Sequence, residues 1–146
     1  MAEFKYQEPF PIQKDSTEYR LLTKDYVKTI EVEGRKILKI QKEGLELLAR
    51  EAYTDVSFYL RASHLQKLAN ILKDPEASDN DKFVAHTMLM NQVVAAAGEL
   101  PTCQDTGTAI AIGKKGENVW TDGNDAEAIS KGVFETYRDH NLRYSQ

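Results

Sequence analysis

The sequence predicts an α+β fold: a β-hairpin, several amphipathic helices, a second β-hairpin and a C-terminal helix. Three observations carry that expectation. Runs rich in β-branched residues gather near residue 30 and again between about 108 and 121. Helical periodicity fills the stretch between them and resumes after residue 125. The resulting order lacks the regular strand-helix alternation of a doubly wound sheet.

The chain opens on Pro9 and Pro11 around Phe10, a pairing that disfavours helix and predicts an extended arm laid against another surface. Thr29 to Val32 and Lys36 to Ile40 flank Glu33-Gly34-Arg35, the glycine-containing three-residue spacing of a hairpin. Leu45, Leu48, Ala49, Ala52, Val56 and Tyr59 then recur at helical spacing, which predicts a helix from about Lys42 to Leu60 with one apolar face. Ser63 with Gln66 forms a capping-box pattern ahead of Leu65, Leu68, Ala69 and Leu72, and Asp74-Pro75 ends that helix. Ser78 with Asp81 repeats the pattern before Phe83, Val84, Thr87, Met88, Asn91, Val94 and Ala95, with Gly98 as the C-terminal cap. Thr108 to Ile112 is apolar and β-branched, and Gly113-Lys114-Lys115-Gly116 turns it back toward Val119-Trp120-Thr121 as a second hairpin. Asp125 caps a last helix that carries Ala126, Ile129, Val133, Thr136 and Tyr137 and ends near Asn141.

At 146 residues and 16.5 kDa the chain has the length of one domain spanning residues 1–146, able to remove roughly two-thirds of its unfolded surface from water. Hydrophobic residues at 41%, charged residues at 29% and a mean hydropathy of -0.54 describe a folded, water-soluble chain rather than a disordered one. A net charge of -4, with 19 basic residues scattered among 23 acidic ones, leaves no footprint for nucleic acid or an anionic membrane. Neither a secretory leader nor a stretch able to span a bilayer is recognisable. Cys103 is the only cysteine, which excludes an internal disulfide and fits a reducing, cytoplasmic setting.

Chemistry concentrates in Leu100-Pro101-Thr102-Cys103-Gln104-Asp105-Thr106-Gly107-Thr108, where a thiol, an amide, a carboxylate and three hydroxyls share nine residues. Pro101 stiffens the backbone before the cysteine and Gly107 permits close backbone approach after it. On residue types alone Cys103 has three readings: a metal or cluster thiolate, a nucleophile, or a small buried hydrophobe. None of His64, His86 and His140 lies in the motif to serve as its base. Gln104 and Asp105 could equally cap turns, and Arg143 could be a surface residue.

The run Leu-Pro-Thr-Cys-Gln-Asp-Thr-Gly-Thr resembles the segment around the first cluster cysteine of the class I, iron-sulfur fumarate hydratases. The likeness continues through Gly113-Lys114-Lys115-Gly116, Val119-Trp120-Thr121 and Asn141-Leu142-Arg143-Tyr144-Ser145-Gln146, and earlier through Pro9-Phe10-Pro11 and Asp74-Pro75-Glu76-Ala77-Ser78. It implies the N-terminal part of a hydro-lyase that interconverts fumarate and L-malate at a 4Fe-4S cluster. Cys103 matches the first of three ligand cysteines. The resemblance also implies that Gln104, Asp105 and Arg143 contact the dicarboxylate, with Asp105 taking part in proton transfer.

The family's other two cysteines lie further along its sequence than Gln146. The resemblance therefore implies a chain inactive alone and holding no cluster by itself, completed by a remaining domain or companion subunit and inclined to form a homo-oligomer. The α subunit of L-tartrate dehydratase, whose cysteine loop is similar, is the rival on substrate. A binding or structural module that keeps the fold without the reaction is the rival in kind. Trp120 is expected to be a packing anchor, Gly113-Lys114-Lys115-Gly116 a turn rather than a phosphate loop, and the Met88, Met90 and Val93 neighbourhood plain helix packing.

Overall fold

A computed structural model describes residues 3–8, 11, 18–103, 107–140, 142 and 143. Among them the elements run β1 (Val27–Val32), β2 (Arg35–Ile40), α1 (Lys42–Phe58), α2 (Ala62–Ile71), α3 (Asp79–Ala95), β3 (Val119–Thr121) and α4 (Asp125–Asp139). The class is the expected α+β. β1 and β2 pair antiparallel from Val27 opposite Ile40 to Val32 opposite Arg35. Because Arg35 already pairs, the connection is the two-residue Glu33-Gly34 rather than the expected three. Both residues take positive φ, 50° and 76°, which suits the right-handed twist of the strands they join.

The second hairpin does not form. Residues 108–112 carry no strand, and β3 instead joins β2 in parallel, with Leu38, Lys39 and Ile40 opposite Val119, Trp120 and Thr121. Leu38 N–H donates to the Asn118 carbonyl at 2.8 Å. The physical reason lies in β2, whose second edge carries backbone donors and acceptors that need partners, and β3 supplies them. Period-two alternation sends Trp120 to the face opposite Val119 and Thr121. It stays 45% exposed and lines an open cleft with Val32 and Ile37, so it is not the packing anchor expected of it.

The core centres on α1 and α4. Lys131 Nζ meets Glu46 at 2.7 Å, Thr136 Oγ1 donates to the Arg50 carbonyl at 3.0 Å, and Arg50 faces Asp139 at 3.5 Å. Residue numbers rise together along both helices, so the two run parallel. Small residues allow the approach: a Cβ on Gly132 would run into the Glu46 carbonyl oxygen and stand 2.8 Å from Ala49 Cβ and 2.9 Å from Arg50 N. Ala49, Phe58, Ala128 and Tyr137 are buried with Thr136. The apolar face read from the sequence is only partly the packing face, because Leu48, Val56 and Tyr59 remain exposed. A contact this close selects alanine and glycine over the larger side chains one turn away. α1 stops at Phe58 because Tyr59 turns to extended backbone (φ -127°, ψ 130°).

The two capping patterns differ in outcome. At α3, Asp81 N–H donates to Ser78 Oγ at 3.2 Å while Ser78 N–H donates to Asp81 Oδ2 at 3.0 Å, closing the box. At α2 the helix has already begun at Ala62 behind Arg61, which makes no side-chain cap, and Gln66 donates to Asn70 at 2.8 Å instead of reaching back to Ser63. Asp125 is likewise the first residue of α4 rather than its cap. Asn124 precedes it in the left-handed region (φ 56°), and the Asp125 carboxylate accepts from Lys115 at 2.7 Å. Past α3, the Gly98 N–H reaches the Ala95 carbonyl at 2.9 Å with φ 79°. α3 buries Ala85, Gln92 and Ala95 and leaves Met88, Met90 and Val93 exposed, contrary to the packing role expected for those three. No helix among the described residues is long and apolar enough to cross a membrane.

Candidate functional site

The approach to Cys103 is anchored through one residue. The Thr102 N–H donates to the Ser57 carbonyl at 2.8 Å, and the Thr102 carbonyl accepts from Asn91 Nδ2 at 2.8 Å. The Thr102 hydroxyl donates to Gln92 Oε1 at 3.1 Å, while Gln92 Nε2 donates to the Phe58 carbonyl at 2.6 Å. Every hydrogen-bonding group of Thr102 thus ends on α1 or α3. Gln92, only 6% exposed, serves both helices: it satisfies a carbonyl left over at the end of α1 and fixes the loop. Cys103, the next residue, presents a free, exposed thiol. The structure does not support the reading of Cys103 as a buried hydrophobe.

Arg143 follows α4 from the same end of the molecule. His140 caps that helix, and its ring meets Phe58 edge-on at 5.7 Å between centroids. Leu142 is buried and Arg143 exposed. Since α1 and α4 run parallel, the last turn of α1 supports both departures. The Ser57 carbonyl holds the cysteine loop directly, the Phe58 carbonyl holds Gln92, which in turn bonds the loop, and the Phe58 ring meets His140. Gln104 and Asp105 lie outside the described residues, as do Pro9, Phe10 and Asn141.

The charge at this end is arranged on the helices. Arg138 donates to Asp139 at 2.6 Å and holds its carboxyl below the ordinary value, with Arg50 and His140 adding to the effect. Arg20 grips the outer side of α1 through Asp55 at 2.6 Å and Glu51 at 2.8 Å, and Asp55 foremost pushes the guanidinium pKa up. The two lysines of Gly113-Lys114-Lys115-Gly116 are engaged, Lys114 with Glu8 at 2.9 Å and Lys115 with Asp125 at 2.7 Å. The first of these pairs also places the Glu8 end of the N-terminal arm beside that turn. A cleft of about 580 Å³ between α2 and α3 is lined by Leu68, Asp81 and Met88. It contains none of the residues of the cysteine loop.

The donor set decides how far a cluster fits. Among the described residues no group of three His, Cys, Asp or Glu could hold a metal ion, and the sequence has one cysteine. A 4Fe-4S cluster takes three or four thiolates. An exposed Cys103 on an anchored loop fits one corner of such a cluster, and the other corners would need thiolates that this sequence does not contain.

Fold and loop together define an α+β chain that presents one thiol from a pinned backbone beside the end of a parallel helix pair. The chain belongs to the fumarate hydratase family, whose model, described as fumarate hydratase (Fumerase), matches residues 46–146. It is 59% identical to the aerobic class I fumarate hydratase of Escherichia coli K12 over 143 residues, covering 98% of this chain and 26% of that protein. Identity to the anaerobic class I fumarate hydratase of the same organism is also 59%, with the same coverage. Fumarate hydratase 2 of Leishmania major is 52% identical over 121 residues, 83% of this chain and 21% of that protein. The chain therefore spans about a quarter of the length of these curated relatives.

Sequence reasoning did not single out the amides of Asn91 and Gln92, which bond the residue before Cys103. The available signal was two adjacent amides inside the apolar run from Met88 to Val94. On a helix with apolar residues on several sides that pair does not stand out, and Asn91 counts only as one of the residues at helical spacing.

Proposed function

We propose that this chain is the N-terminal portion of a fumarate hydratase, a hydro-lyase that adds water reversibly to fumarate to give L-malate. The main support is the exposed Cys103 thiol, carried on a loop anchored to the end of α1, beside which α4 ends and Arg143 follows, in a chain of the fumarate hydratase family. Cys103 would supply one thiolate to a 4Fe-4S cluster, and that cluster, when bound, supplies the Lewis acidity that helps a hydroxyl leave carbon. The chain's own residues bind and move protons. Arg143 offers a planar fork matching a carboxylate, Gln104 can both donate and accept, and Asp105 exchanges a proton with the substrate. The remaining ligands come from a further domain or companion subunit. The chain alone neither turns over substrate nor retains a cluster, and the complete enzyme acts in the cytoplasm as a homo-oligomer.

The test uses the protein that carries this chain at its relatives' full length, reconstituted anaerobically with iron and sulfide. Malate should give fumarate, and Cys103→Ser should lose both turnover and stable iron, because a serine hydroxyl is a far poorer iron ligand than a thiolate. Full turnover in Cys103→Ser would overturn the ligand role. One intact cluster per monomer in the 146-residue chain alone would overturn the shared-ligand reading.

A further inference from the structure

We propose that Gln92 and Asn91 are positioning residues for the Cys103 thiol, acting through Thr102. This rests on reading Cys103 as a ligand. A thiolate ligand is useful only if its Cα–Cβ direction is set before the metal arrives, since small misplacement weakens a site built from few donors. That direction is governed by the peptide between Thr102 and Cys103, whose carbonyl oxygen belongs to Thr102.

Asn91 Nδ2 holds that oxygen at 2.8 Å and so fixes the rotation of the peptide plane. The Ser57 carbonyl holds the Thr102 N–H at 2.8 Å, fixing the plane before it. Gln92 Oε1 takes the Thr102 hydroxyl at 3.1 Å, locking the side chain between them. With both peptide planes and the rotamer held, little freedom remains in the backbone entering Cys103.

The chemistry at position 92 is otherwise hard to account for. Gln92 lies on the inward face of α3 with Ala85 and Ala95, where an apolar residue would pack without desolvating an amide. The amide is retained where two polar groups, the Phe58 carbonyl and the Thr102 hydroxyl, meet it from different elements. Asn91, one residue earlier, is exposed, and its amide bridges back to the same threonine. Two consecutive side chains of α3 thus converge on the residue before the thiol.

The lone cysteine makes the test direct. A nitroxide attached to Cys103 in the 146-residue chain reports the motion of the backbone beneath it. The wild-type chain should show a slow-motion component. Thr102→Val, which keeps shape but loses the hydroxyl, should lose that component, as should Asn91→Ala and Gln92→Met. Thr102→Ser, which keeps the hydroxyl, should restore it while helical circular dichroism stays constant across the set. A wild-type spectrum already in the fast limit, or Thr102→Val superimposable on wild type, would overturn the proposal. If Gln92→Met fails to fold, the Thr102 pair decides. The reading of Cys103 as ligand fails separately, through iron retention by Cys103→Ser in the full-length protein, and that result leaves the spin-label outcome untouched.

Discussion

Replacing Gly132 by alanine sets two effects of opposite sign against each other. In an exposed helix the change stabilises by about 0.5–1 kcal/mol, because glycine loses more backbone freedom on folding than alanine. Here the added Cβ would run into the Glu46 carbonyl oxygen and stand 2.8 Å from Ala49 Cβ and 2.9 Å from Arg50 N. Two of those three neighbours are α1 backbone, which cannot rotate aside as a side-chain tip does, so α1 and α4 must separate. Overpacking of this kind costs about 1–3 kcal/mol, and with backbone on two sides the upper part of that range applies. Set against the helix gain, the net is a destabilisation of about 2 kcal/mol, or roughly 4–8 °C in Tm for a chain of this size. Urea unfolding followed by circular dichroism reads it as a fall in midpoint at unchanged slope. Thermal melting gives an independent value. A midpoint at or above that of the wild-type chain would refute the close packing of α1 on α4.

Acid should weaken the fold in a defined direction. Ser78 holds the Asp81 carboxyl below its ordinary value, Lys115 and then Thr121 do so for Asp125, and Arg138 does so for Asp139. Depressed folded values give stability that is present above the ordinary carboxylate range and lost as pH falls through the folded values. Ser78→Ala should therefore lower the urea midpoint at neutral pH, with a difference from wild type that narrows in acid; a constant difference would count against the Asp81 part. In the full-length protein, Asp105→Asn should depress kcat by roughly 10²-fold. Arg143→Lys should lower kcat/KM by about 2 kcal/mol, mainly through KM. Iron content should survive both changes, and unchanged turnover in Asp105→Asn would remove it from proton transfer. A thiol reagent should modify Cys103 in the folded chain without denaturant; reaction only after unfolding would contradict its exposure.

What the sequence made legible was mostly local. The box at Ser78 and Asp81 closes within four residues and formed as read, and the run from Lys42 to Phe58 became a helix with its start correctly placed. The same local logic failed at Ser63 and Gln66, because a capping pattern carries no information about whether the helix has already begun. Asp125 failed for a related reason: it stands one residue too late to cap α4, and its carboxylate accepts from Lys115 instead. The second hairpin was misread because a turn-like Gly113-Lys114-Lys115-Gly116 suggests a near partner, whereas β2 offered a far one. The loop carrying Cys103 was recognisable by its residues. How it is anchored was not, since that depends on where the ends of α1 and α3 lie in space, and a buried glutamine has no periodic signal of its own.

The parallel pairing of β3 with β2 ties a local hairpin to a strand far along the chain. β1 and β2 can zip together early, because only Glu33 and Gly34 separate them, yet a lone hairpin is barely stable in water. The third strand that consolidates it is separated from β2 along the chain by three helices and the cysteine loop, which lie between Ile40 and Val119. Closing so long an excursion carries an entropy cost that short-range helix contacts do not, and contacts of that range slow folding. The loop bearing Cys103 lies inside that closure. The anchors of the residue before its thiol, Ser57, Asn91 and Gln92, sit on α1 and α3, so that position depends on helices inside the excursion rather than on the strand that closes it.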